Sequence, residues 1–174
     1  MRRWLSAGLL SAAIVVGIGL GSARARADSL SPEDIKIYRQ AFAAVNEDKF
    51  DYARGLARKA SDKTLERVLQ WAEYQRPGSG ATFEQIADFV RAHPGWPLIP
   101  TLIRRAEEAI TAATPTDLLR SWFAAYPPVT AEGAMAWARV LLIDGEKDKA
   151  TDLLRHAWVA LSFGPIQEKE FLTH

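Results

Sequence analysis

Phe50-Asp51-Tyr52-Ala53-Arg54-Gly55-Leu56-Ala57-Arg58-Lys59-Ala60 places Phe50, Ala53, Leu56, Ala57 and Ala60 on one side of a helix. The pattern Ala53-x2-Leu56-Ala57-x2-Ala60 returns 97 residues later as Ala150-x2-Leu153-Leu154-x2-Ala157, each copy behind a turn and a preceding amphipathic helix. Small alanines where helices approach most closely, with leucines beside them, are the packing signature of tetratricopeptide-like hairpins. The full repeat consensus is absent, so the repeat is degenerate.

Outward from this hairpin the chain continues in the same grammar. Ser31-Pro32-Glu33-Asp34 reads as a helix start: Ser31 caps, Pro32 fits the first helical position, and the acids suit the positive end of the dipole. Ile35, Tyr38, Phe42 and Val45 form its apolar stripe. A third helix carries Leu65, Val68, Leu69 and Ala72 and stops before Pro77-Gly78-Ser79-Gly80. Thr82 with Gln85 makes a capping box for a fourth, with Phe83, Ile86, Ala87 and Val90 inward, ended by His93-Pro94-Gly95-Trp96-Pro97. A fifth holds Leu102, Ile103, Ala106, Ala109 and Ile110. The sixth opens at Thr114-Pro115, shows Leu118, Leu119, Trp122 and Phe123, and halts at Pro127-Pro128. Thr130 begins a seventh with Ala134, Trp137, Leu141 and Leu142, and Asp144-Gly145 turns into the eighth.

No sustained period-two alternation argues for strands, so the expected class is all-α. Short turns between helices imply antiparallel neighbours stacked in chain order, an α-solenoid of helix hairpins; an ordinary helical bundle, with the same loop lengths, is the alternative. Gly164-Pro165 starts a further helix that Phe171-Leu172-Thr173-His174 leaves short. A superhelix truncated at its C-terminus is therefore expected, a short natural end being the other reading.

The 174 residues are 48% hydrophobic and 25% charged, the balance of a folded protein, and include no cysteine. Disulfides, thiolate metal sites, cysteine nucleophiles and lipidated cysteines are thereby excluded. The first 27 residues have the three parts of an export signal: Arg2 and Arg3, an apolar run from Leu5 to Gly21, and the small-residue site Ala25-Arg26-Ala27. Cleavage there makes 1–27 a signal peptide and 28–174 the mature chain, beginning at Asp28. An uncleaved anchor is the competing reading, but a 17-residue run containing Gly8, Gly17, Gly19 and Gly21 sits at the short limit of the roughly 17–25 residues that span a bilayer. Arg2-Arg3 lacks the usual flanks of a folded-export signal. The formal charge of +1 depends on four arginines in the leader. Without them 18 basic residues face 21 acidic ones, which gives no electrostatic footprint for nucleic acid.

The acids make poor candidates for proton transfer. Glu107 and Glu108 follow Arg104 and Arg105, and the 104-to-108 spacing is that of a surface ion pair. Glu132 stands in a first turn, where the dipole favours its charge. Glu33, Asp34, Glu146 and Asp148 read as capping or solvated residues. His93 abuts a helix-ending proline, where its imidazole can bond the last carbonyls; His156 has no second histidine at metal-ligand spacing; His174 is terminal. Motifs for metal proteolysis, nucleotide binding or serine hydrolysis do not occur. No catalytic, metal or cofactor-binding residue is assigned. Of the mature tryptophans Trp71, Trp96, Trp122, Trp137 and Trp158, most are better explained by packing, Trp122 and Trp137 because they fall on apolar stripes. Trp96, between Gly95 and Pro97, is the candidate glycan contact, being placed to stand half-exposed in a loop.

Several segments together resemble one family. They are Tyr38-Arg39-Gln40-Ala41-Phe42, Tyr52-Ala53-Arg54-Gly55-Leu56-Ala57, Gln75-Arg76-Pro77-Gly78-Ser79-Gly80-Ala81-Thr82-Phe83 and His93-Pro94-Gly95-Trp96-Pro97. Arg104-Arg105-Ala106-Glu107-Glu108, Pro127-Pro128-Val129-Thr130-Ala131-Glu132-Gly133-Ala134 and Ala150-Thr151-Asp152-Leu153-Leu154-Arg155-His156-Ala157-Trp158 extend the match over Ser31 to His174. The chain is similar to the N-terminal superhelical domain of soluble lytic murein transglycosylases of alphaproteobacterial type. The two Pro-rich links are the distinctive marks.

That resemblance implies a periplasmic protein whose helical pairs curl into a ring or horseshoe, followed by a lysozyme-like catalytic domain acting on peptidoglycan glycan strands. In the family one glutamate protonates the glycosidic oxygen between N-acetylmuramic acid and N-acetylglucosamine, then acts as base while the muramic 6-hydroxyl closes a 1,6-anhydro ring, without metal or cofactor. Its Glu-Ser dipeptide is missing here, and Gly55-Leu56 continues as Ala57-Arg58 in place of the family's Gly-Leu-Met-Gln. The implied role is the non-catalytic superhelical portion of such an enzyme, with activity in a C-terminal domain outside this chain. A periplasmic tetratricopeptide-like interaction module without enzymatic activity is the alternative.

Overall fold

Hydroxyl side chains start three of the helices in the way the sequence specifies. Asp34 N donates to Ser31 Oγ at 3.0 Å, Gly133 N to Thr130 Oγ1 at 2.9 Å, and Thr82 and Gln85 close a reciprocal capping box. The computed structural model describes residues 30–161. The export signal at 1–27, the Gly164-Pro165 start and the final Phe171–His174 lie outside the described residues.

Among the described residues the fold is all-α, without strands. The helices are α1 (Pro32–Asn46), α2 (Phe50–Ala57), α3 (Glu66–Tyr74), α4 (Phe83–Ala92), α5 (Ile99–Glu108), α6 (Thr116–Ala125), α7 (Ala131–Ile143) and α8 (Lys147–Ala160). None of them is long and apolar enough to cross a membrane.

Packing follows chain order. The main helix contacts join neighbours, as in α1 with α2, α4 with α5, α6 with α7 and α7 with α8, or helices one step further apart, as in α1 with α3 and α5 with α7. Three apolar clusters succeed one another: Tyr38, Val45, Phe50, Leu56 and Leu69 in α1 to α3; Phe83, Ile86, Val90, Leu102, Leu119, Trp122 and Val140 in α4 to α7; and Ala138, Leu141 and Ala150 between α7 and α8. Alanines 53, 57 and 150 are buried at close helix contacts, as the hairpin pattern predicts. Ala60 is buried too, though it lies in the turn after α2.

Two stripe residues point outward instead of inward. Ile35 is exposed because α1 turns Asp34, Tyr38, Ala41 and Val45 to the core, a row that leaves position 35 beside solvent. Leu142 is exposed because α7 packs α5 and α6 on one flank and α8 on another, and residues 139 and 142 share the side that none of them covers.

The link before α5 holds Leu98 at φ 59°, ψ 28°, a left-handed conformation that disfavours a branched side chain. Leu98 is also 52% exposed, so its side chain gains little by burial. Leu98→Gly is expected to raise stability by about 0.5–1 kcal/mol, relief of roughly 1–2 kcal/mol of strain outweighing the entropy of a new glycine. Urea unfolding should show a higher midpoint at unchanged m-value.

Candidate functional site

Leu69 and Glu73 lie four residues apart on α3, so the face that buries Leu69 carries Glu73 inward as well. Glu73 is 2% exposed and is met by Arg54, which reaches across from α2 and also bonds Asp51. Burial pushes the Glu73 carboxyl above its ordinary range, and the Arg54 charge pulls it only part of the way back. The pair lines a groove of about 330 Å³ between α2, α3 and the start of α4. Ala57, Leu69 and Gly80 supply its small or apolar walls. Tyr74 lines it too, its ring edge-on to Phe89 at 5.7 Å and its phenol pushed up by burial. Arg58, Glu66, Gln70 and Gln85 complete the polar lining. Gln85 already accepts from Thr82 N at 2.9 Å as part of the α4 capping box. The arrangement can hold a small polar ligand by hydrogen bonds and paired charges.

Glu107 overturns the sequence expectation. Glu108 pairs with Arg105 rather than Arg104, while Glu107 is fully buried and clamps α5 to the beginning of α7. Val129 N donates to Oε1 and Oε2 at 3.1 and 2.9 Å, Thr130 N to Oε2 at 2.8 Å, and Thr130 Oγ1 to Oε2 at 2.7 Å. Thr130 Oγ1 in turn accepts from Gly133 N, so one hydroxyl caps α7 and holds the carboxylate. Burial lifts the Glu107 carboxyl, and these donors, with the Arg104 charge, draw it back down without cancelling the rise. A Cβ at Gly133 would lie 2.2 Å from Glu107 Oε2, so the clamp requires a glycine there. The available signal was the stripe itself: Glu107 stands four residues after Ile103, at the edge of the apolar arc of α5.

Asp34 corrects a second expectation in the same way. It caps nothing outward; it is buried and accepts from Ser61 N at 2.7 Å, Asp62 N at 3.3 Å and Ser31 Oγ at 2.9 Å, tying α1 to the turn beyond α2. The Ser61 amide is the main reason its carboxyl lies below the ordinary range. Three inward carboxylates therefore each bind one helix to another part of the chain. Glu33 and Asp148 are exposed, and Glu146 pairs with Lys149, as surface residues were expected to do. Glu132 lies in the first turn of α7.

No family model, curated protein or solved structure matches this chain.

Trp96 is half-buried and stands outside the groove, in an aromatic cluster on the α4–α5 link. Its ring lies 5.2 Å from Phe89, 5.2 Å from His93 and 6.3 Å from Trp71, whose Nε1 donates to the Pro97 carbonyl at 2.9 Å. His93 caps α4 through its backbone and lays its imidazole on Phe89 at 4.7 Å. Trp122 is buried, with Nε1 lacking a hydrogen bond; Trp137 packs on Phe123; Trp158 is exposed. Packing explains Trp122 and Trp137, in line with their place on apolar stripes, and Trp71 packs beside the same cluster. His156 is exposed on α8. Among the described residues no three His, Asp or Glu side chains gather as metal ligands do. Glu73, Arg54 and the groove were missed in the sequence because Arg54 and Glu73 lie 19 residues apart and meet only across two helices.

Proposed function

We propose that this chain is the superhelical, non-catalytic portion of an exported lytic transglycosylase, an α-solenoid frame that holds or admits peptidoglycan glycan strands for a catalytic domain elsewhere. The observation that carries the reading is the serial order of the three apolar clusters, each shared by helices adjacent or nearly adjacent in the chain. Solenoids are built this way, because each hairpin contacts its neighbours only. Both Pro-rich links of the resemblance also have structural work in this arrangement. His93–Pro97 packs Trp96 against α4, and the residues after Pro127-Pro128 supply the donors for Glu107. Glu73 and Glu107, the carboxyls lifted by burial among the described residues, are occupied by Arg54 and by the Val129 and Thr130 donors. That use favours a frame over an acid–base centre. Trp96 is the residue we place against the glycan.

The test is incubation of the purified protein with isolated peptidoglycan sacculi. Retention in the sedimented wall, weakened several-fold by Trp96→Ala, with no 1,6-anhydro-muropeptides in the supernatant, is the expected result. Release of anhydro products by this chain would overturn the assignment of a non-catalytic frame. Failure to sediment with sacculi would overturn the glycan role. Expression in a Gram-negative host should yield a periplasmic protein beginning at Asp28.

A further inference from the structure

The groove between α2, α3 and α4 has two ends of different character. Lys63 Nζ donates to the carbonyls of Ala57 and Arg58 at 3.0 and 3.1 Å, which sets the start of α3 beside the end of α2. Arg54 and Glu73 meet further from that turn on both helices, so α2 and α3 run antiparallel and their ion pair lines the groove away from the turn. Arg58 and Glu66 fall at the other end, by the α2–α3 turn, and both line the groove. Their side chains are not bonded to each other, and among the described residues neither side chain makes a hydrogen bond or ion pair. Neighbouring arginines are spoken for: Arg54 holds Glu73 and Asp51, and Arg76 holds Asp48. One cation and one anion, neither in an ion pair among the described residues, thus line the same small space. Gln70 and Tyr74 follow Glu66 at i+4 and i+8 on α3 and carry further unused polar groups along the wall.

A guanidinium presents paired donors that fit a carboxylate, and a carboxylate accepts from an ammonium. A small zwitterion, with both groups on one carbon as in an amino acid or at its two ends as in a dipeptide, can engage Arg58 and Glu66 together, and its amide or side chain then meets Gln70 and Tyr74. The groove volume of about 330 Å³ suits a ligand of that size. A sugar is favoured less, because the half-exposed tryptophans Trp71 and Trp96 stand outside the lining and no open charge would be matched. We propose that this groove is a binding site for a small amino-acid-type zwitterion, its carboxylate on Arg58 and its ammonium on Glu66. The proposal goes beyond the cell-wall frame and does not depend on it.

The experiment is isothermal titration of the whole chain with L- and D-alanyl-alanine, with N-acetyl and C-terminal amide derivatives of each, and with N-acetylglucosamine. Saturable binding of a free dipeptide at millimolar or lower concentration is expected, with each blocked derivative about tenfold weaker or more. Arg58→Gln should erase the preference for the free carboxylate and Glu66→Gln that for the free amine. Arg139→Gln, an exposed charge change on α7, should leave both intact. Circular dichroism should show all three variants folded, since among the described residues none of these side chains makes a hydrogen bond or ion pair. Absence of saturable dipeptide binding up to about 10 mM would overturn the proposal. So would equal binding of blocked and free forms, or tighter binding of N-acetylglucosamine than of either dipeptide. These readouts involve no sacculi, so they fail or succeed separately from the glycan role.

Discussion

Gly133→Ala is expected to destabilise the protein by about 3 kcal/mol, a fall in Tm of about 10 °C, although alanine in place of a helical glycine ordinarily stabilises by about 1 kcal/mol. The sign reverses because the new methyl would sit 2.2 Å from Glu107 Oε2 and 2.6 Å from its Cδ. Glu107 cannot yield cheaply. Its oxygens take the amide hydrogens of Val129 and Thr130 and the Thr130 hydroxyl, and each buried donor left without an acceptor costs about 1–3 kcal/mol. Glu107→Ala alone should therefore cost a similar amount. The double variant should cost less than the sum of the two by about 1–3 kcal/mol, since the alanine methyl then occupies vacated space. Additivity within about 0.5 kcal/mol in urea unfolding would show that the contact between residues 107 and 133 does not set the effect.

Arg54→Met should cost about 2 kcal/mol at neutral pH, and the loss should depend on pH. Removing one member of a buried pair leaves an uncompensated charge, worth about 3–5 kcal/mol where both partners are enclosed. The Arg54 side chain is 40% exposed, so solvent screening places the expected value below that range. Burial already holds the Glu73 carboxyl above the roughly 4.3 of an unfolded chain, and the nearby Asp51 charge pushes the same way. Without Arg54 the native value rises further. A carboxyl raised in the folded state contributes stability that is complete below its unfolded pKa and is lost as pH rises through the folded one. The destabilisation by Arg54→Met should accordingly be small near pH 4 and grow towards pH 7. Adding Glu73→Leu should recover most of the loss and flatten the profile, because an apolar side chain in that position needs no partner. A pH-independent cost in the single variant would mean that Glu73 is not the group left stranded.

The candidate groove and the clamps were less legible than the helices for a definite reason. Capping at Ser31, Thr82 and Thr130 involves residues three apart, and the apolar stripes repeat every three or four, so both stand within a short window of sequence. Asp34, Glu73 and Glu107 each stand at the edge of one of those stripes, yet a carboxylate beside an apolar face reads as a surface residue until its partner is known. Their partners come from 19 to 28 residues away. Ile35 was misplaced for the same reason, since the inward turn of Asp34 is decided by the amides of Ser61 and Asp62.

Local sequence by itself determined that the chain is helical, where α1, α4 and α7 begin, and which alanines and leucines pack, because those outcomes depend on hydrogen bonds and periodicities internal to a single helix. Tertiary structure alone decided that Glu107 is a buried clamp needing Gly133, that Glu73 is held by Arg54, and that Arg58 and Glu66 face one groove. A charged group's environment is set by whatever atoms surround it in space, and for these side chains those atoms are supplied by other helices and turns.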